Sequence, residues 1–334
     1  MEPVTVKGRS YSYSQTIGKG SPGGPGFRQP VDIAISGNLV YGLSRGTEGE
    51  PCGRISVFTK NEEYLGQFAN SGNADGQFIW GSSVAVDKDG LVYLADEWLN
   101  RITVFNGQAE LNGMDIEQAN FIKKWGVSGS LPGQINGPSG IALDNDGNLY
   151  ITEEFNHRVS KFTTDGEFIS SWGSQGSSMD QFDHPWGITI DNNNNIYVAD
   201  WKNHRIQKFT DTGEYISTIG TPGNSSGELN MPSDVAVDKD GDIYVTDWWN
   251  SKLEVYDKDG DHITTFFGNA ENLSKWATEA LAVNPDIKAL YDKANKALIK
   301  YFFRPTAVEV DEDNRIWVVD GMRWRIQIYQ KTLS

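Results

Sequence analysis

Short runs of alternating apolar and polar residues, punctuated by turn formers, fill most of the chain. The stretch from Asp183 to Gly220 shows the unit most cleanly. WGITI, IYVAD, RIQKF and YISTI each alternate with a period of two, and between them stand Asp191-Asn-Asn-Asn-Asn195, Trp201-Lys-Asn-His204 and Asp211-Thr-Gly213. The pattern predicts four half-buried strands joined by tight turns. Such a unit cannot bury both of its faces alone, so it needs copies of itself on either side.

The copies are present. The Asp that ends the first strand recurs as Asp87, Asp144, Asp191, Asp238 and Asp311, with Ser36 in its place in the first unit. Six residues before each stands Pro30, Gly81, Pro138, Pro185, Pro232 or Pro305. Six such units predict an all-β fold, a six-bladed β-propeller of four-stranded blades. The last unit, from Pro305 to Gln330, holds only three strands, TAVEV, RIWVV and RIQIY. Its fourth is supplied by the amino terminus, because Ser14-Gln-Thr-Ile-Gly18 parallels Ile216-Ser-Thr-Ile-Gly220. Closing the ring this way leaves no open sheet edge and makes residues 1–334 one domain.

Three insertions break the repeat: Arg45 to Arg54, Gly107 to Asn120, and residues 269–302 between the fifth and sixth blades. The last reads as helical. Asn284, Pro285 and Asp286 form a helix start, and Ile287, Leu290, Tyr291, Ala294, Ala297, Leu298 and Tyr301 fall on one stripe. A shorter helix around Leu273 to Val283 precedes it, with Trp276 and Leu281 facing inward. The expectation is a lid or side wall over the channel mouth, its stripe touching Trp186, Arg304 or Asp234.

The P-x-x-[VI]-A-[VI]-D first strand, the D-x-x-N-x-R-[IV] second turn and the [FY]-x-x-x-[WI]-G strand end resemble the NHL-repeat family. Asp200-Trp-Lys-Asn-His-Arg-Ile206 and Glu154-Phe-Asn-His-Arg-Val159 are close copies of its pattern. The resemblance implies the propeller and leaves activity open, since such propellers include binding modules and enzymes. A distant resemblance reaches the peptidyl-hydroxyglycine amidating lyases, which hold zinc with histidines that, in bacterial relatives, often directly follow the first-strand proline. Here that position holds Val31, Ser82, Ser139, Trp186, Ser233 and Thr306, so the histidine pattern is missing.

Composition narrows the classes. The single cysteine, Cys52, excludes an internal disulfide framework and a cysteine-cluster zinc site. No run of 18 apolar residues occurs, so no membrane helix is expected. A formal charge of −16 disfavours nucleic acid. Loops such as Asp87-Lys-Asp-Gly90 and Asp238-Lys-Asp-Gly241 are hairpin chemistry rather than calcium loops, because they lack a closing Glu. The sequence carries no apolar signal core at its start, which implies a cytoplasmic protein if the chain is full-length and a secreted or periplasmic one if a leader was removed.

Connections between blades and the turns between second and third strands share one face, the top. Its mouth is expected to bind a small polar or anionic organic molecule or a peptide, through Arg28, Trp80, Asn136, Trp186, Asp234, Arg304, Trp248 and Trp276. The alternatives are a metal-assisted lyase or hydrolase using the same pocket and a protein- or peptide-binding scaffold. The enzyme reading takes His184 and Asp183 as catalytic candidates, with Asp32 and Asp234 as candidate ligands for a divalent ion in the channel. The reading makes the protein a monomer. By contrast, the repeated Asp200–Arg205 pair is expected to be internal scaffolding, and the departure of Asp183, His184 and Trp186 from the other units marks them as the working segment.

Overall fold

A computed structural model describes residues 3–47, 49–108, 120–293 and 299–333. Six antiparallel sheets follow one another around a ring. The innermost strands are Pro30–Ser36, Gly81–Val86, Pro138–Leu143, Pro185–Ile190, Pro232–Val237 and Ala307–Val310. The predicted closure is present: Arg9–Ile17 pairs with Arg325–Leu333, from Arg9 opposite Leu333 to Ile17 opposite Ile326. A further short strand, Val4–Val6, extends this sheet to five strands and was not foreseen from the pattern. Among the described residues no helix is long and apolar enough to cross a membrane.

Each blade junction is filled by one large apolar residue, placed three positions before Pro30, Gly81, Pro138, Pro185, Pro232 or Pro305. Phe27, Phe78, Ile135, Phe182 and Leu229 are fully buried there, and Phe302 nearly so. Burial of each contributes about 1.5–3 kcal/mol. The second strands end in a buried polar group: Ser44, Asp96, Glu153, Asp200, Asp247 and Asp320. Asp200 accepts the backbone N–H of Asp183 at 2.8 Å, and Arg205 Nε donates to it at 2.8 Å. Arg205 also donates to the carbonyls of Ser178 and Gln181, and Arg158 and Arg325 repeat the clamp. These arginines hold the crossover loops, as expected for scaffolding. The Asp-Gly loops are hairpins: Asp87 Oδ1 accepts from Asp89 N and Leu91 N.

A second device joins neighbouring blades. Asn100, His157, His204 and Ser251 all have left-handed backbone, and so do Gly137, His184, Met231 and Arg304 in front of the next innermost strand. The side chain of each of the first four accepts the N–H of its partner in the second set, at 2.7, 3.2, 3.0 and 3.2 Å. His204 is therefore an acceptor in a latch.

The helical insertion departs from expectation in position. Helices α1 (Lys275–Ala282) and α2 (Pro285–Lys293) form, but they do not cover the mouth. Trp276 is 3% exposed and packs on Phe27, Phe58 and Tyr64, beside the outer strands of the first and last blades. Glu62 caps α1 by accepting from Lys275 N and Trp276 N, and it also accepts Gly18 N. The insertion is a rim clasp. The stripe of α2 is left in solvent, with Ile287 50% and Leu290 65% exposed. Ala294, Ala297 and Leu298 lie outside the described residues, as does most of the Gly107–Asn120 insertion.

Candidate functional site

The six innermost strands enclose a central cavity of ≈ 290 Å³. Its wall is built from equivalent positions of the repeat. Counting positions from Pro30, Gly81, Pro138, Pro185, Pro232 and Pro305, the second residues Ser82, Ser139, Ser233 and Thr306 donate to the carbonyl oxygens of Pro138, Pro185, Pro305 and Pro30 in the next blade. Hydroxyls thus stitch the mouth, except where Val31 and Trp186 stand instead.

The third position carries charge. Asp32 accepts from Ser83 Oγ at 2.7 Å and from the N–H groups of Val84 and Ile33 at 2.8 Å. Asp234 accepts from Val308 N at 2.9 Å. Gly187 in the neighbouring blade makes room for it, since a Cβ there would collide with Asp234 Oδ1 and Cα. Glu309 lines the same cavity, and among the described residues none of the three carboxylates has an ion-pair partner. Burial pushes Asp32 up to about 6, against the pull of its three donors. Burial and then the Asp32 charge raise Asp234 well above the carboxylate range. Burial, with Asp32 and Asp311 adding to it, raises Glu309 to about 8. Nearer the mouth, Arg45 and Glu97 also line the cavity, 3.9 Å apart. Burial lowers Arg45 to about 10 and raises Glu97 to about 7.

Trp186, Asp234 and Asp32 are the sequence-predicted residues that meet in this cavity. Trp186 stacks on Trp201 with centroids 4.9 Å apart, and Trp201 leads edge-on to Trp248 and then Trp249. Arg304 lies over Trp248 at 4.3 Å and does not line the cavity. Arg28 is likewise held outside, paired with Glu50 at 2.8 Å and stacked on Trp324 at 4.3 Å. The expected two-arginine anion clamp is therefore not assembled in the channel. Trp80 carries Arg45 on its face at 4.4 Å. Asn136 stays in its loop, where its N–H donates to Glu153. Trp276 belongs to the rim clasp, which withdraws it from any ligand at the mouth.

Asp183 and His184 sit on the top face. Asp183 Oδ1 is 2.6 Å from His184 Nδ1, and Lys202 Nζ is 3.1 Å from His184 Nε2.

The NHL repeat model matches residues 136–162, 182–209 and 229–256, which are the first three strands of the third, fourth and fifth blades. The chain is a six-bladed propeller that carries NHL repeats. No curated protein matches it. Among solved structures, this NHL propeller is similar to a structural genomics protein of unknown function from Bacteroides thetaiotaomicron, with 17% identity and a TM-score of 0.64 over 97% of this chain and 76% of that one. It is also similar to a streptogramin B lyase, with 15% identity and a TM-score of 0.58 over 97% and 98% of the two chains. A catalytically inactive virginiamycin B lyase from Staphylococcus aureus with quinupristin gives 15% identity and 0.58 over 96% and 99%. At these identities the likeness concerns the fold.

Sequence reasoning missed Arg45, Glu97 and Glu309 as site residues of the NHL propeller. A signal for Glu309 was present, because the fifth position of the other innermost strands is Ala34, Ala85, Ala142, Thr189 or Ala236. Arg45 and Glu97 carry no comparable mark, since charged residues are common in these turns.

Proposed function

We propose that this NHL propeller is a binding protein whose central channel recognises a small polar organic molecule carrying positive charge, such as an amine or guanidine. The observation that carries the reading is the trio Asp32, Asp234 and Glu309, lining one cavity without a counter-ion. Among the described residues Arg45 is the one cation lining the cavity, and Glu97 accompanies it. The polar ligand expected from the sequence is retained. Its anionic form is disfavoured, because an anion would meet the trio in a poorly hydrated space. A cavity of ≈ 290 Å³ is near the lower end of the roughly 300–1,000 Å³ of ligand pockets, which favours a small molecule.

Titration calorimetry with 1,4-diaminobutane and argininamide, against succinate as the anionic control, tests this. At least one cation is expected to bind, more tightly as pH rises from 6 to 8 and the acids ionise, and to lose at least about tenfold in the Asp234→Asn/Glu309→Gln double variant. Binding of succinate alone, or of neither cation, would overturn the reading.

A second reading, a lyase or hydrolase, draws on Asp183 and His184. The carboxylate at 2.6 Å orients the ring as in a general-base dyad. Neither residue lines the cavity, so such chemistry would act on the part of a ligand that protrudes from the mouth.

A further inference from the structure

The junction between the third and fourth blades differs from the others in what its latch carries. His157 occupies the left-handed latch position, and Asp183 and His184 occupy the two positions before Pro185. At the next junction the same three places hold His204, Asn230 and Met231, and at the preceding one Asn100, Asn136 and Gly137. Only at this junction, among the described residues, do three metal-ligating side chains converge. One donor atom from each lies within 4.8 Å of the others.

We propose that His157, Asp183 and His184 form a binding site for a first-row divalent transition ion, zinc foremost. Two imidazoles and one carboxylate are a donor set of the right softness for such an ion, and a poor one for calcium or magnesium. The distances suit it. Donor atoms bound tetrahedrally at about 2.0–2.2 Å stand roughly 3.3 Å apart. His184 Nδ1 is 2.6 Å from Asp183 Oδ1, and His157 Nδ1 is 3.8 Å from the same oxygen, so the two separations bracket that value. The rings of His157 and His184 are 4.9 Å apart and nearly perpendicular, at 82°, so they do not stack face to face.

The rest of the shell defines what binding changes. The ion takes the place of the hydrogen bond between Asp183 Oδ1 and His184 Nδ1. Ligation through His157 Nδ1 exchanges the N–H of His184, held at 3.2 Å, for a coordinate bond. Lys202, with Nζ 3.1 Å from His184 Nε2, opposes the ion by its charge. Three protein ligands leave coordination positions for water or a ligand group. Because Trp186 lines the cavity two residues beyond His184, the ion would stand at the mouth. The site does not depend on what the channel holds.

The test uses the purified full chain, stripped with a chelator and titrated with cobalt(II), whose visible absorption reports the ligand field. One cobalt per chain is expected, displaced by zinc and not by equal magnesium or calcium. Asp183→Asn and His184→Asn should each weaken cobalt binding by at least about tenfold. His157→Asn separates ligation from the latch, because Asn100 performs the latch with its Oδ1 at the equivalent place, 2.7 Å from Gly137 N. That variant should keep the wild-type melting temperature within a few degrees and still lose cobalt affinity. Lys202→Met should bind cobalt more tightly than the wild type. A wild-type chain that takes up neither cobalt nor zinc, or a spectrum unchanged in Asp183→Asn and His157→Asn, would overturn the site.

Discussion

Glu309 shows how one side chain can set a property of the protein. Its carboxyl is raised from 4.5 to about 8, chiefly by burial. The folded chain therefore keeps a proton that the unfolded chain releases, and stability falls as pH rises between those two values. Asp32, raised from 3.8 to about 6, acts in the same direction over a lower window. Glu309→Gln removes the larger part. Urea denaturation should find wild type and variant similar near pH 5, with the variant progressively more stable towards pH 9. A constant difference across that range would show that folding leaves the Glu309 pKa unchanged. This residue was legible in the sequence once the six innermost strands are aligned. The Arg28 and Arg304 misplacements have a different cause. Both flank the mouth in sequence, but each finds an aromatic ring closer than the channel, Trp324 and Trp248, and cation–π contact holds it there.

At the scale of elements, period-two patterning identified every blade, because each strand is half-buried and each turn carries Asp, Asn or Gly. The helices were also legible, from a stripe and a start signal. Their docking was not. A stripe says that a helix has an apolar face, not which surface that face meets. Here one residue decides it: Trp276 drops between the outermost strands of two blades, and Glu62 fixes the helix start. Trp276→Ala should cost about 3–5 kcal/mol in denaturant unfolding, the usual range for deleting a buried large aromatic. Leu290→Ser, on the exposed stripe, should stay within about 0.5 kcal/mol. Neither substitution should alter amine binding in the channel. A loss of binding in Leu290→Ser would restore the lid.

Across the whole molecule, the last blade is made from the two ends of the chain and is tied down on one side by buried charge. Lys331 is fully buried against three carboxylates, with Nζ 2.8 Å from Asp242 and 3.0 Å from Asp240, and Asp238 beside them. Arg9 adds a two-pronged bond to Asp242 at 2.7 and 2.6 Å. Lys331→Ala leaves Asp238 without a cation in the interior, while Arg9 still holds Asp242, and should cost about 3–5 kcal/mol, read from the urea midpoint. An unchanged midpoint would mean that the closing strands hold through backbone pairing alone.

That closure also governs the order of events during synthesis. Arg9–Ile17 leaves the ribosome before the five intervening blades, and its partner Arg325–Leu333 leaves after them. Five blades can condense as they emerge, while this early strand waits as a bare edge, able to pair with a neighbouring nascent chain. The pairing that seals the ring is also the most distant along the chain, so its search comes late and slowly. Vulnerability to misassembly is therefore concentrated in time, in the interval before the nine-residue closing strand appears.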